Sequence, residues 1–197
     1  MRTLIAFALA FSLPCVSIAD AAKGQFMGYQ LGSTYERSPQ TEALLTTNGN
    51  LKIMAEDAVK PIDVGDVTLV TTPDSLTIGY ISSLTWFDTE EEARTFGRKY
   101  IKLLRAKYPD WAFGREEMDA NMRAVEVNLD KPPHNVQMRL TRGDHGGRPG
   151  WRISMTLRWL SDTEEAKNWR RLSHTEQATV QQKDRELLLE QADTRGL

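Results

Sequence analysis

The stretch DTEEEARTFGRKYIKLLRAKY, residues 88–108, decides the fold. Ala93, Phe96, Gly97, Tyr100, Ile101, Leu104 and Tyr108 recur three and four residues apart, so a helix through them carries one apolar face. Arg94, Arg98, Lys99, Lys102, Arg105 and Lys107 fall on the other sides or flank the stripe, and Pro109 stops the run. Asp88 is placed to cap the start by accepting from first-turn amides, with Glu91 as the reciprocal acid of a capping box. Such a helix needs an apolar surface to lie on, and strand-forming segments on both sides of it supply one.

Upstream, 67–72 and 76–86 are rich in β-branched and aromatic residues, and Pro73, Asp74 and Ser75 between them make a hairpin turn. Alternation in the second segment predicts Leu76, Ile78, Tyr80, Leu84 and Trp86 on the core side, with Thr77, Ile81, Ser83 and Thr85 opposite. Downstream, 123–129, 135–142 and 151–160 read as a three-strand meander, broken by a Pro132-Pro133 turn and a glycine-rich loop at 143–150. Its third strand is the clearest: Trp151, Ile153, Met155, Leu157 and Trp159 face one way, and Arg152, Ser154, Thr156 and Arg158 the other. Segments 25–31 and 51–54 read as short strands and 41–45 as a helical turn. Ser161 with Glu164 then caps a long polar helix running to about Ala192, whose first turns dock through Ala166, Trp169 and Leu172. The expected class is α+β: an antiparallel sheet, made of a hairpin plus a three-strand meander, with one amphipathic helix packed on one face and a polar C-terminal helix.

A chain of 197 residues suits one domain with a sizeable core. Its opening residues read as a leader. Arg2 is a basic n-region, Leu4 to Leu13 an apolar run, and Ser17, Ala19 and Ala21 small residues that allow cleavage before Asp20 or Ala22. That run is about half the roughly 20 apolar residues a membrane span requires. The expected organisation is thus a signal peptide at 1–19, one α+β domain at 20–160, and a C-terminal helix and tail at 161–197. The product is periplasmic or secreted, with no membrane span after cleavage. The single cysteine, Cys15, falls in the leader, so the mature chain is expected to have no disulfide and no cysteine nucleophile or metal ligand. Removing Arg2 leaves 24 basic against 27 acidic residues, a net charge of 24 − 27 = −3. That balance argues against nucleic acid as the partner, because phosphate binding relies on an excess of Lys and Arg.

No catalytic, cofactor-binding or metal-ligating set is expected. His134, His145 and His174 are far apart and lack ligand spacing. Gly-x-Ser-x-Gly, His-Glu-x-x-His, Gly-x-Gly-x-x-Gly and P-loop patterns are absent, and acids such as Glu116 with Glu117 or Glu90 to Glu92 read as solvated charge. The surface that stands out is the polar side of the meander, where Arg139, Arg152 and Arg158 should project among Glu126, Gln137, Thr141 and Thr156. Arg142, His145 and Arg148 gather at the glycine-rich loop, and Trp169 lies at an element junction. A solvated sheet face with Glu126 paired to an arginine is the plain reading of this surface, and a partner surface is the functional one, because arginine is favoured in interfaces for its planar donor array. The expected function is an exported, non-enzymatic cell-envelope protein that binds another envelope or exported protein, either as an assembly accessory factor or as a toxin immunity or inhibitor protein. A periplasmic small-ligand or lipid binder with a pocket between helix and sheet is the alternative, and a hydrolase the second.

Overall fold

The molecule is built on one antiparallel seam. Strand β7 (Ile78–Phe87) lies against strand β12 (Arg148–Trp159), paired from Trp151↔Phe87 to Arg158↔Tyr80. The computed structural model describes residues 19–20, 23–38, 41–114, 117–118 and 124–194. On one side of the seam, β4 (Ala43–Leu45), β5 (Leu51–Met54) and β6 (Asp66–Thr71) lead by antiparallel neighbours into β7. On the other, β10 (Ala124–Lys131) and β11 (His134–His145) lead into β12, with the two-residue strands β8 (Ala112–Phe113) and β9 (Glu117–Met118) on β10. The result is a nine-stranded sheet, wider than the hairpin and meander expected from the sequence but of the expected α+β class. A separate small sheet joins β1 (Ala19–Asp20), β2 (Gln25–Phe26) and β3 (Tyr29–Gln30). Segment 25–31, read as one strand, is therefore a tight hairpin, and 41–45, read as a helical turn, contains β4.

Helix α1 (Glu90–Lys107) lies across the inner face of the sheet and buries Ala93, Phe96, Gly97, Tyr100 and Leu104, the predicted stripe. Phe96 packs on Phe87, ring centroids 5.1 Å apart, and on Tyr100 at 4.4 Å. Burying each large side chain of this face contributes about 1.5–3 kcal/mol. The cap is Thr89, one residue later than expected: its hydroxyl accepts from the Glu92 amide and the Glu92 carboxylate accepts from the Thr89 amide. Beside α1, residues Phe26, Met27, Leu31 and Tyr35 close the rest of the inner core. Loop 55–65 is tied to α1 by Asp63, which accepts from the Tyr100 hydroxyl at 2.6 Å and pairs with Lys99. Burial pushes the Asp63 carboxyl up, but the two donors outweigh it and hold it below its ordinary value. The same contact, with burial the larger cause, raises the Tyr100 phenol.

Ile78 is buried as expected, but from Tyr80 onward the phase of β7 is the reverse of that expected. Thr71 pairs with Ile78 and Val70 with Tyr80, so Gly79 is an extra residue in the ladder, a bulge. Ile81, Ser83, Thr85 and Phe87 consequently share the inner side with Leu157, Met155, Ile153 and Trp151, while Tyr80, Leu84 and Trp86 face out with Arg158, Ser154 and Arg152. Trp86 is thus not a core residue. The leader with Cys15 and the Glu116 carboxyl lie outside the described residues, as does the Glu126 side chain; strand β1 straddles the cleavage point expected before Asp20.

Helix α2 (Glu164–Thr194) begins on the outer side. Thr163, not Ser161, caps it, accepting from the Ala166 amide. The Trp169 indole lies flat on Gly79, where a Cβ would stand only 2.0 Å from the ring. Its Nε1–H donates to the Thr77 carbonyl. Leu172, expected to dock, stays 39% exposed. The docking is instead polar: Glu176 accepts from the Asp74 and Ser75 amides and the Ser75 hydroxyl, and Ser173 donates to Asn50 at 2.6 Å. From Gln181 to Leu187 every residue is exposed.

Candidate functional site

Two features of the outer face carry the polar chemistry. The first is an indole at the end of the sheet. Trp86 lies over Gly143 and Gly150, which pair across β11 and β12; a Cβ on Gly143 would come within 3.1 Å of the ring. His145 stacks on the indole with centroids 4.7 Å apart and planes 27° from parallel, and the Arg152 guanidinium lies 5.7 Å from its centroid. Arg152 is steadied by its Nε–H, which donates to Thr141 Oγ1 at 2.9 Å. The hairpin that delivers His145 and Arg148 turns through Gly146 and Gly147 at φ of 61° and 83°. Both residues of this two-residue connection need positive φ, which glycine adopts without strain. A depression of about 420 Å³ separates the tip from the start of α1 and sets Arg148 and His145 across from Asp88 and Glu92.

The second feature is a cavity of about 550 Å³ where the first turns of α2 meet the sheet, walled by Trp159, Trp169, Tyr80 and Arg170 and floored by Asn128, Asp130, Asn135 and Arg158. Asn135, only 3% exposed, organises the floor. Its Oδ1 accepts from Arg158 Nε at 2.9 Å and its Nδ2 donates to Asp130 at 2.5 Å. The guanidinium and the carboxylate are held on either side of one buried amide.

No family model, no curated protein and no solved structure matches this chain. Its chemistry has to be read from the geometry. Among the described residues no group of three His, Cys, Asp or Glu side chains could hold a metal ion, and no helix is long and apolar enough to cross a membrane. His134 is buried, and burial pushes its imidazole below the ordinary value, with Glu165 opposing. His174 is exposed on α2.

Of the residues singled out in the sequence, Arg139, Arg152 and Arg158 share the outer face, and His145 and Arg148 stand at its hairpin end. Trp169 walls the cavity. Arg142 does not join them: it pairs with Trp151 and so lies on the α1 side of the sheet. The residues that sequence reasoning missed are Trp86, Asn135 and the glycines beneath the two indoles. Gly79 inside an otherwise regular strand was the available signal, because an isolated strand glycine marks a bulge or a close approach. For Asn135 no sequence signal existed, since its partners are set by register.

Proposed function

We propose that this chain is an exported, non-catalytic cell-envelope protein that docks another protein through the outer face of its sheet, centred on Trp86, His145 and Arg152. Its export rests on the leader pattern of the first 21 residues. The observation that carries the docking reading is the half-buried Trp86 indole, seated on glycines and flanked by an imidazole and a guanidinium at a hairpin tip. Tryptophan and arginine held rigidly at a surface are the residue types that dominate binding energy at protein interfaces. With Arg139 and Arg148 nearby, the face is suited to a partner presenting carboxylates around an apolar socket. An assembly accessory factor and a toxin immunity or inhibitor protein are both roles that fit such a docking face on a small exported domain.

The test is capture from an envelope extract with purified protein as bait. A single stoichiometric partner is expected, with affinity reduced about 30-fold or more by Trp86→Ala, the size of a hot-spot loss. Arg139→Glu with Arg152→Glu should abolish capture, and unchanged capture by these variants rejects the docking face. The 550 Å³ cavity favours a second reading, that the protein also holds a small ligand beside α2.

A further inference from the structure

We propose that the cavity between α2 and the sheet is a saccharide site. The inference rests on the reading of that cavity as a ligand site and is independent of protein docking at Trp86. A sugar hydroxyl donates and accepts at once, so its site must offer both functions side by side on rigid planar groups. The floor does this: Asp130 supplies acceptor oxygens and Arg158 supplies donors. Asn135 fixes the spacing of the first two by bonding each of them. Apart from its Nε contact to Asn135, the Arg158 guanidinium has no hydrogen-bond partner among the described residues, so its terminal nitrogens are available to a ligand.

The walls supply the other half. A pyranose has an apolar C–H face that packs on an aromatic ring, and Trp159 and Trp169 stand 6.5 Å apart at 47° at the cavity's edge. Trp169 cannot swing away, because Gly79 lies under its ring and the Thr77 carbonyl holds its Nε1–H. Two competing ligand classes fit less well. A phosphate or carboxylate anion could pair with Arg158 or Arg170 but would set a like charge against the Asp130 carboxylate on the same floor. A fatty acyl chain would have to strip water from an Asn, an Asp and an Arg without replacing their hydrogen bonds. The volume lies within the roughly 300–1,000 Å³ of small-molecule sites. A di- or trisaccharide is the occupant we assign.

The test uses the indole N–H resonances of the purified protein, titrated separately with cellobiose, maltose, N,N′-diacetylchitobiose, inorganic phosphate, acetate and decanoate. At least one saccharide is expected to shift the Trp169 signal while that of Trp86 stays still. Arg158→Gln and Asp130→Asn should each weaken that response about tenfold, the size of a lost charge-assisted hydrogen bond. Asp130→Asn keeps an acceptor toward Asn135, so the fold is retained if the Arg158 variant proves unstable. A Trp169 shift with phosphate, acetate or decanoate but with no saccharide overturns the saccharide assignment and leaves a ligand site. No Trp169 shift with any probe overturns both.

Discussion

His134 shows what one buried residue contributes. It sits at the start of β11, packed so closely beneath the N-terminal hairpin that a Cβ on Gly24 would stand 2.8 Å from its Nε2. Burial lowers its pKa and the Glu165 charge only partly restores it. A histidine depressed in the fold is neutral there, so above its ordinary value of 6.5 both states are neutral and nothing is lost. As pH falls below that value the unfolded chain takes up the proton first, and stability declines until the folded form is protonated too. The expected outcome is a denaturation midpoint that drops between about pH 7 and pH 5, with a smaller drop in His134→Gln. A midpoint that rises on acidification over this interval, or an identical slope in the variant, would refute the assignment. The carboxylates held low in the fold, Asp63 and Glu176 among them, act in a separate window: their contribution is present above their ordinary values and fades at more acidic pH.

At the scale of the element, α2 is held where it crosses the sheet by polar contacts rather than by an apolar stripe. Glu176 is central, because one carboxylate satisfies two amides and a hydroxyl of the β6–β7 turn. Burial raises its pKa, and those hydrogen bonds outweigh burial and lower it. Glu176→Ala leaves two turn amides without an acceptor and should cost about 1–3 kcal/mol. Hydrogen exchange should speed up at 74–77 and in the middle of α2 while β12 stays protected; uniform acceleration everywhere would contradict this local role. The contrast with α1 explains what was legible in the sequence. The α1 stripe and the alternation of β12 each follow a single period over many residues, and Phe96, Tyr100, Ile153 and Leu157 are buried as that period requires. In β7 the period is broken once, at Gly79, so Tyr80, Ile81, Ser83, Leu84, Thr85 and Trp86 lie on the side opposite to the one strict alternation predicts. Glu176 was illegible for another reason: its partners lie about a hundred residues away, and a glutamate in a polar helix carries no mark of burial. On the candidate surface, Arg139, Arg152 and Arg158 were legible from β11 and β12, whereas Trp86 was hidden by the same bulge.

Taken whole, the molecule is two meanders sharing one seam and one inner core. Leu69 and Ile81 from the first meander are buried in the same cluster as Val136 and Leu157 from the second, and α1 touches β7, β11 and β12 together. Neither meander can keep its inner face dry without the other, so unfolding should be a single transition. Near-ultraviolet and far-ultraviolet melting curves are expected to coincide, with equal calorimetric and van't Hoff enthalpies. Two resolved steps would show that the meanders are separable units.

The extra residue at Gly79 also dictates where this chain tolerates a change of length. Removing it would leave Ile78 and Tyr80 adjacent on the opposite faces they already occupy, so the ladder would close without a bulge, but it would take away the floor on which the Trp169 ring rests. At Gly146 and Gly147 nothing stands within 4 Å of where a side chain would begin. Natural variants of this protein should therefore differ in length at that reversal and keep a glycine at position 79 wherever the indole of Trp169 is kept, because any side chain there would displace the ring.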